Sequence, residues 1–427
     1  MSEYEKFISN KKHLIGNFGF EANYIPDMAF DFQKEIIKRA CLKGRMAVFA
    51  DTGLGKTLIQ LSLAKNVVNH TKGKVLILTP LAVAFQFILE AEKLGISDIE
   101  YSKNGSSTKS IVICNYERLH YFNKEDFKGI ILDESSILKN FNGKIKDEVT
   151  SFVKKIPYRF LSTATPSPND FIELGTSSEA LGYMGYMDML GKFFKNNQNS
   201  VDSNNRNIGE KFYLKPHAEI DFFAWVNQWS IMVKMPSDLG FSNERYNLPE
   251  LIINKNIVHN NSNLDVNGQI QIFKVEAKTF NEIRHEQKQT IQERCEKAVE
   301  IIGSQTTEKK EQILLDFANG KIKRIITKAK MTGMGLNWQH CNHSVFFPTY
   351  SYEQYYQAIR RFWRFGQKNN VTIDLVISDG QTRVLEALEQ KTQKAIQLHK
   401  NLTENVNSSF ENKVKEFNKE LIKPKFL

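Results

Sequence analysis

From about Asn23 onward, short apolar runs alternate with longer stretches of helical period. The runs are Met46 to Phe49, Lys74 to Leu78, Ser110 to Cys114, Gly129 to Leu132 and Arg159 to Leu161. Strands spaced by helices predict a parallel sheet covered on both faces. The rhythm stops between Ser177 and about Leu248, where aromatic-rich text is broken by the Asn/Ser-rich stretch Asn196 to Asn207. That change predicts a helical insertion with one flexible loop. After Pro249 the alternation resumes with Ile252 to Val258, a helix over roughly Arg284 to Val299 whose Ile291, Cys295 and Val299 share a face, and strands at Arg324 to Thr327, Ser344 to Phe347 and Val371 to Ile377. A second α/β unit is expected there. Beyond Asp379 the text is polar and helical, with Val384, Leu388, Lys391 and Ala395 on one stripe before a lysine-rich tail read as a solvated charged face. The boundaries are then 23–176 for the first α/β unit, 177–250 for the insertion, 251–380 for the second unit and 381–427 for a C-terminal helix and basic tail.

Composition narrows this picture without changing it. A chain of 427 residues holds two or three domains at about 150 residues each. Hydrophobic content of 41% and charged content of 25% exclude a largely disordered or collagenous chain. The net charge of +10 favours a polyanionic partner, nucleic acid ahead of a membrane surface. Cys41, Cys114, Cys295 and Cys341 form no paired motif, which speaks against a zinc knuckle or a disulfide framework. The polar N-terminal text and the lack of a long apolar run lead us to expect a cytoplasmic location and no membrane span.

Candidate chemistry begins at Met46 to Thr57, where an apolar strand runs into Thr52, Gly53, Leu54, Gly55, Lys56 and Thr57 and then an amphipathic helix. This is the pattern of a phosphate cradle. Glycines let backbone N–H groups close on an anion, the helix N-terminus adds partial positive charge, Lys56 reaches the β and γ phosphates and the Thr57 hydroxyl holds Mg²⁺. Ala50 stands where the strict pattern has its first glycine, so the match is to the looser form. A second strand, Gly129 to Leu132, ends in Asp133 and Glu134. Beside a phosphate loop, Asp133 is expected to hold Mg²⁺ and Glu134 to polarise the attacking water; alone, such a pair is most often a solvated turn. The third piece is Tyr355 to Gln367, which places Gln357, Arg361 and Arg364 on one helix of the second unit. These arginines act only if the two units close on one ATP; otherwise they form a basic helix face. Trp225 and Trp229, one turn apart beside Phe222 and Phe223, are read as core, as are Phe362 and Trp363.

Seven segments taken together resemble a known family. GLGKT, LTP (Leu78 to Pro80), NYERL (Asn115 to Leu119), DESSILKN (Asp133 to Asn140), LSTATP (Leu161 to Pro166), TGMGLNWQ (Thr332 to Gln339) and QAIRRFWRFGQ (Gln357 to Gln367) are similar to the ordered motifs of superfamily 2 helicases. LKN, TATP and RFGQ resemble the Snf-type branch of double-stranded DNA translocases, in a compact form like those of phages and mobile elements. The resemblance implies two RecA-like parallel-sheet lobes with ATP and Mg²⁺ between them and nucleic acid, double-stranded DNA foremost, across both.

By motif, the resemblance also implies that Gln33, with Phe30 nearby, reads adenine. It makes Ser162, Thr163 and Thr165 a link between hydrolysis and DNA contact, and places Thr79, Pro80, Thr332 and Gly335 near the strand backbone or the nucleotide. Arg361 and Arg364 fall at the finger positions. Two departures stand out. Ser136 occupies the position of a common histidine in the acidic motif, and the text between Gln292 and Ile313 leaves no room for the second lobe's first strand, which is expected to be missing or refilled by another segment. The competing reading is an ATP-gated or hydrolysis-deficient DNA-binding protein without motor activity, and an RNA motor is a third. Protein partners are not legible.

Overall fold

The computed structural model describes residues 18–80, 83–139, 143–196, 212–244, 246–258, 298–302, 304–328, 338–378 and 382–411. The first lobe opens with helix α1 (Asp31–Lys43), strand β1 (Arg45–Ala50), α2 (Lys56–Thr71), β2 (Lys74–Thr79), α3 (Ala84–Lys93), β3 (Ile99–Tyr101), β4 (Ile111–Asn115) and β5 (Phe127–Asp133). It continues through α4 (Lys144–Val153), β6 (Tyr158–Ser162), α5 (Leu174–Leu181), α6 (Tyr186–Phe193), the antiparallel pair β7 (Phe194–Asn196) and β8 (Phe212–Leu214), α7 (Glu219–Trp229) and β9 (Ser230–Val233). Seven strands form one parallel sheet in the order β3-β4-β2-β5-β6-β1-β9. Its central strands are near-continuous runs of Val, Ile, Leu and Phe because both faces are covered by helices.

All five strands expected in the first lobe form, and two more join them. β3 is a short edge strand. β9 lies in the stretch expected to be helical and pairs in parallel with β1, Ala47 facing Ser230 and Ala50 facing Val233. That stretch therefore adds helices and also a strand to the first lobe's sheet. Its aromatic helix α7 supplies the core: Phe222, Phe223 and Trp229 are fully buried and Trp225 nearly so, as the four-residue spacing suggested.

In the second lobe β10 (Leu251–Val258) and β13 (His343–Phe346) flank β14 (Val371–Ser378) in a parallel sheet, and β11 (Val299–Glu300) pairs with β12 (Ile325–Ile326). The helices are α8 (Thr307–Ala318) and α9 (Tyr352–Phe362). Each starts on a hydroxyl cap, with the side chains of Thr306 and Ser351 accepting from the backbone N–H of Lys309 and Gln354. Phe362 packs with Trp338 and Phe317 in this lobe's own core, and Trp363 lies against it. Most of the helix expected over roughly Arg284 to Val299 lies outside the described residues, but Val299 itself is in β11, so the text between Gln292 and Ile313 holds a short strand where none was expected.

Helix α10 (Thr382–Glu411) spans both lobes. Its first turns bury Val384 and Leu388, while Leu398 and Leu402 sit in the first lobe's core against α7 and β9. Lys391, between these anchors, donates to the carbonyl of Tyr350 and to Asn169 Oδ1. Among the described residues no helix is long and apolar enough to cross a membrane.

Candidate nucleotide cleft between the lobes

The phosphate loop joins β1 to α2. Gly53 (φ +88°) and Gly55 (φ +79°) adopt left-handed backbone that favours glycine, and Gly55 caps α2. Both positions are also crowded. A Cβ on Gly55 would lie 2.3 Å from Gln33 Nε2, and one on Gly53 would lie 3.1 Å from Phe365 of the second lobe. Gln33 is buried and its amide is spanned by the loop, with Nε2 donating to the Leu54 carbonyl (2.8 Å) and Oε1 accepting from the Phe30 N–H (2.9 Å). Thr52 N–H donates to Asp51 Oδ1 (2.6 Å), and Lys56 Nζ donates to the Ala50 carbonyl at 3.1 Å. Thr57 opens α2 at the same mouth.

The carboxylate pair arrives on the end of β5, two strands from β1 in the sheet. Asp133 is buried; its Oδ1 accepts from Gln60 Nε2 (2.7 Å) and its carbonyl from the Tyr116 hydroxyl (2.7 Å). Burial raises its pKa against the hydrogen bond from Gln60 and the charge of Lys56. Glu134 takes φ +49°, a conformation costing a non-glycine residue about 1 to 3 kcal/mol. Its carboxyl is pushed up to about 7, chiefly by desolvation, with Lys56 and Arg361 pulling down and Asp133 and Glu353 pushing up. Thr163 Oγ1 donates to Glu134 Oε2 (3.3 Å) and accepts from Thr165 N–H (3.1 Å). Ser162 and Thr165 are buried beside it. Thr79, at the end of β2, reaches Asp133 Oδ2 at 3.5 Å, and the next residue, Pro80, accepts from Asn115 Nδ2 (3.1 Å).

Across this mouth stands α9 and the turn after it. Arg361 is buried and near enough to Glu134 for the two charges to act on each other, and Arg364 acts likewise on Lys56. Desolvation lowers both guanidinium groups to about 10, to which the Arg361–Arg364 repulsion adds at Arg361. Lys56 is lowered by desolvation and by Arg364, with Glu134 and Asp133 opposing. Gln357 lies one turn before Arg361, half-buried. Thr332 and Gly335 fall outside the described residues. The structure therefore brings Lys56, Thr79, Asp133, Glu134, Thr163, Arg361 and Arg364 to one place.

Several contacts across this mouth have no signal in the sequence. Arg360 pairs with Asp51, Tyr356 also reaches Asp51, and Glu353 accepts from Ser136 Oγ (2.6 Å) and from Lys139 Nζ. Ser136, the departure from the family pattern, thus contacts the second lobe through a carboxylate. A doubled arginine and an acid beside the phosphate loop are visible in the text, but a single chain does not say that they meet.

An α/β protein of two lobes, with a phosphate loop and paired carboxylates on one facing arginines on the other, is defined by this geometry. Residues 30–173 match the family of DEAD/DEAH box helicases, and residues 252–366 match the helicase conserved C-terminal domain. The two models together cover more than half of the chain and make it a superfamily 2 helicase-like ATPase. No curated protein matches the chain in sequence. Similar solved structures include the Sulfolobus solfataricus SWI2/SNF2 ATPase core in complex with dsDNA (16% identity, 94% of this chain and 98% of that one, TM-score 0.42). The same organism's SWI2/SNF2 ATPase core domain is similar at 16% identity over 84% and 87% of the two chains, with TM-score 0.43. The UvsW helicase from bacteriophage T4 is similar at 16% over 43% and 67%, with TM-score 0.32.

Proposed function

We propose that this chain hydrolyses ATP in the cleft and uses the cycle of closing and opening to advance along a nucleic-acid backbone, double-stranded DNA foremost. The observation that carries the reading is the approach of Arg361 and Arg364, from the second lobe, to Glu134 and Lys56 of the first. A nucleotide held on the loop at Gly53, Gly55, Lys56 and Thr57 has its terminal phosphate beside both sets of charges. Glu134, with a pKa near neutrality, is suited to accept the proton of an attacking water. Arg361 and Arg364 are placed to neutralise charge developing on the transferred phosphoryl group, where a positioned guanidinium is worth about 10³ to 10⁵ in rate.

A Mg²⁺ ion fits the donor set. Thr57 offers a hydroxyl and Asp133 a carboxylate whose burial calls for positive charge, and a triphosphate site needs only one or two protein ligands. Such an ion supplies charge neutralisation of the phosphates when bound. Thr163, hydrogen-bonded to Glu134, with Thr165 N–H bonded to it and Ser162 next to it in the chain, is suited to report hydrolysis to bound nucleic acid, and Gln33 to join adenine recognition to the loop it already holds. The preference for duplex DNA rests on the LKN and RFGQ segments, and the surplus of positive charge suits a polyanion. Contact with backbone rather than bases implies little sequence preference.

The test is ATP turnover with no DNA, single-stranded DNA and double-stranded DNA, in the wild type and in Lys56→Ala. DNA-stimulated turnover that Lys56→Ala abolishes, with DNA binding retained, supports the reading. Undiminished turnover in the mutant removes the cleft assignment, and DNA binding by a wild type without turnover favours a hydrolysis-deficient binder.

A further inference from the structure

Arg360 precedes the arginine assigned to the phosphoryl group, yet it turns to a different part of the first lobe. Its guanidinium pairs through Nη2 with Asp51 Oδ2, at the entrance to the phosphate loop. Asp51 is 3% exposed and Arg360 is 9% exposed, so solvent does little to screen the pair. The Tyr356 hydroxyl, one helical turn earlier on α9, donates to Asp51 Oδ1 (2.6 Å). Arg360 is itself fixed by its neighbours. Nε donates to Tyr356 Oη (3.3 Å), Nη1 to the Trp363 carbonyl (3.3 Å), and the plane lies 4.5 Å from the centre of the Trp363 ring.

Asp51 is thus held by both lobes. Its backbone N–H donates to the Val233 carbonyl of β9 (2.9 Å), which belongs to the first lobe, while its side chain takes donors from the second. The same Oδ1 that accepts from Tyr356 accepts from Thr52 N–H, the first amide of the loop. Phe365 lies beside the next residue, Gly53, where a Cβ would meet it at 3.1 Å. Moving the second lobe away would strip Asp51 of two donors and leave its side chain bonded only to its own loop. Both donors make charge-assisted hydrogen bonds, the stronger class, so their loss frees the side chain that holds the Thr52 N–H.

We propose that Asp51, Arg360 and Tyr356 form a cross-lobe latch that makes the working shape of the phosphate loop conditional on cleft closure. Arg360 is then a positioning residue for hydrolysis: it acts through Asp51 and the loop, with Nη1 and Nη2 both engaged by protein. This rests on the ATPase reading above. It adds that the second lobe controls the ground on which the phosphates sit, in addition to supplying the arginines opposite them.

The test is a double-mutant cycle of Asp51→Asn and Arg360→Gln, with Tyr356→Phe and Arg360→Lys alongside. The readouts are kcat and KM for ATP on saturating duplex DNA, thermal melting, and hydrogen exchange of the 51–57 amides. Each of the first two variants is expected to lower kcat by about 5- to 150-fold, the usual range of coupling between sites. KM should stay within about threefold, because the loss falls on the closed state. The double variant should be no slower than the slower single, Tyr356→Phe should show a smaller loss, and Arg360→Lys should recover part of it. The 51–57 amides should exchange faster in every latch variant. Where Arg360→Gln fails to fold, Tyr356→Phe and Arg360→Lys decide by the same readouts. Unchanged kcat in folded variants, losses that multiply in the double variant, or a rise in kcat each overturn the latch while leaving the ATPase standing. A wild type without turnover, or one that Lys56→Ala does not impair, overturns both.

Discussion

Glu134 is held where its function is useful and its charge is unfavourable, so Glu134→Gln is expected to abolish turnover and stabilise the protein at alkaline pH. Desolvation on the end of β5, with the repulsion of Asp133 and Glu353, raises this carboxyl from an ordinary 4.5 to about 7 in the folded state. A folded pKa above the unfolded one means that ionisation disfavours folding. The penalty is absent well below pH 4.5, grows between 4.5 and 7, and is complete above 7. At 1.36 kcal/mol per unit, it amounts to about 1 kcal/mol at pH 5 and about 3 kcal/mol at pH 8. Glutamine has the same shape, still accepts from Thr163 through its carbonyl oxygen, and carries no charge. The assay is chemical denaturation of wild type and variant at pH 5 and pH 8, with ATP turnover measured in parallel. The stability gain should be larger at pH 8 than at pH 5 by roughly 2 kcal/mol. A gain equal at the two pH values, or a loss at pH 8, would refute the burial of this charge.

Glu353 pushes the Glu134 carboxyl up, so Glu353→Gln should move the acidic limb of the turnover profile to lower pH; a shift to higher pH would contradict it. Trp229 is fully buried edge-on to Phe49 and Trp225, and Trp229→Ala should destabilise the first lobe by about 3 to 5 kcal/mol in urea titrations. A cost below about 1 kcal/mol would deny its place in the core. Raising salt from about 50 to 200 mM should weaken duplex binding by orders of magnitude at any sequence, and a flat response would exclude backbone contact.

The parts legible in the text were those with local causes. Lys74 to Leu78 and Gly129 to Leu132 are too apolar to be anything but strands buried on both faces, and the glycines of the phosphate loop mark a turn that L residues resist. Trp225 and Trp229 announced a core by their spacing alone. Ser230 to Val233 did not announce a strand, because a serine and three apolar residues following an apolar helix continue its pattern, and only pairing with β1 distinguishes them. The stripe on α10 put Val384 and Leu388 on one face, but the docking of Leu398 and Leu402 on the other lobe is a tertiary fact with no local signature. The cross-lobe contacts of Ser136, Glu353, Asp51 and Arg360 join residues more than 200 positions apart, so their chemistry was visible and their partners were not.

Residues from two lobes acting on one nucleotide is the central claim, and Arg361→Ala tests it most directly when ATP affinity and turnover are measured on the same preparation. Turnover on duplex DNA should fall by about 10³ or more with ATP affinity nearly unchanged, as befits a group in the second lobe that meets the phosphate only as charge develops. Equal losses in affinity and turnover, or turnover left intact, would mean that the arginine opposite Glu134 plays no part in the chemical step.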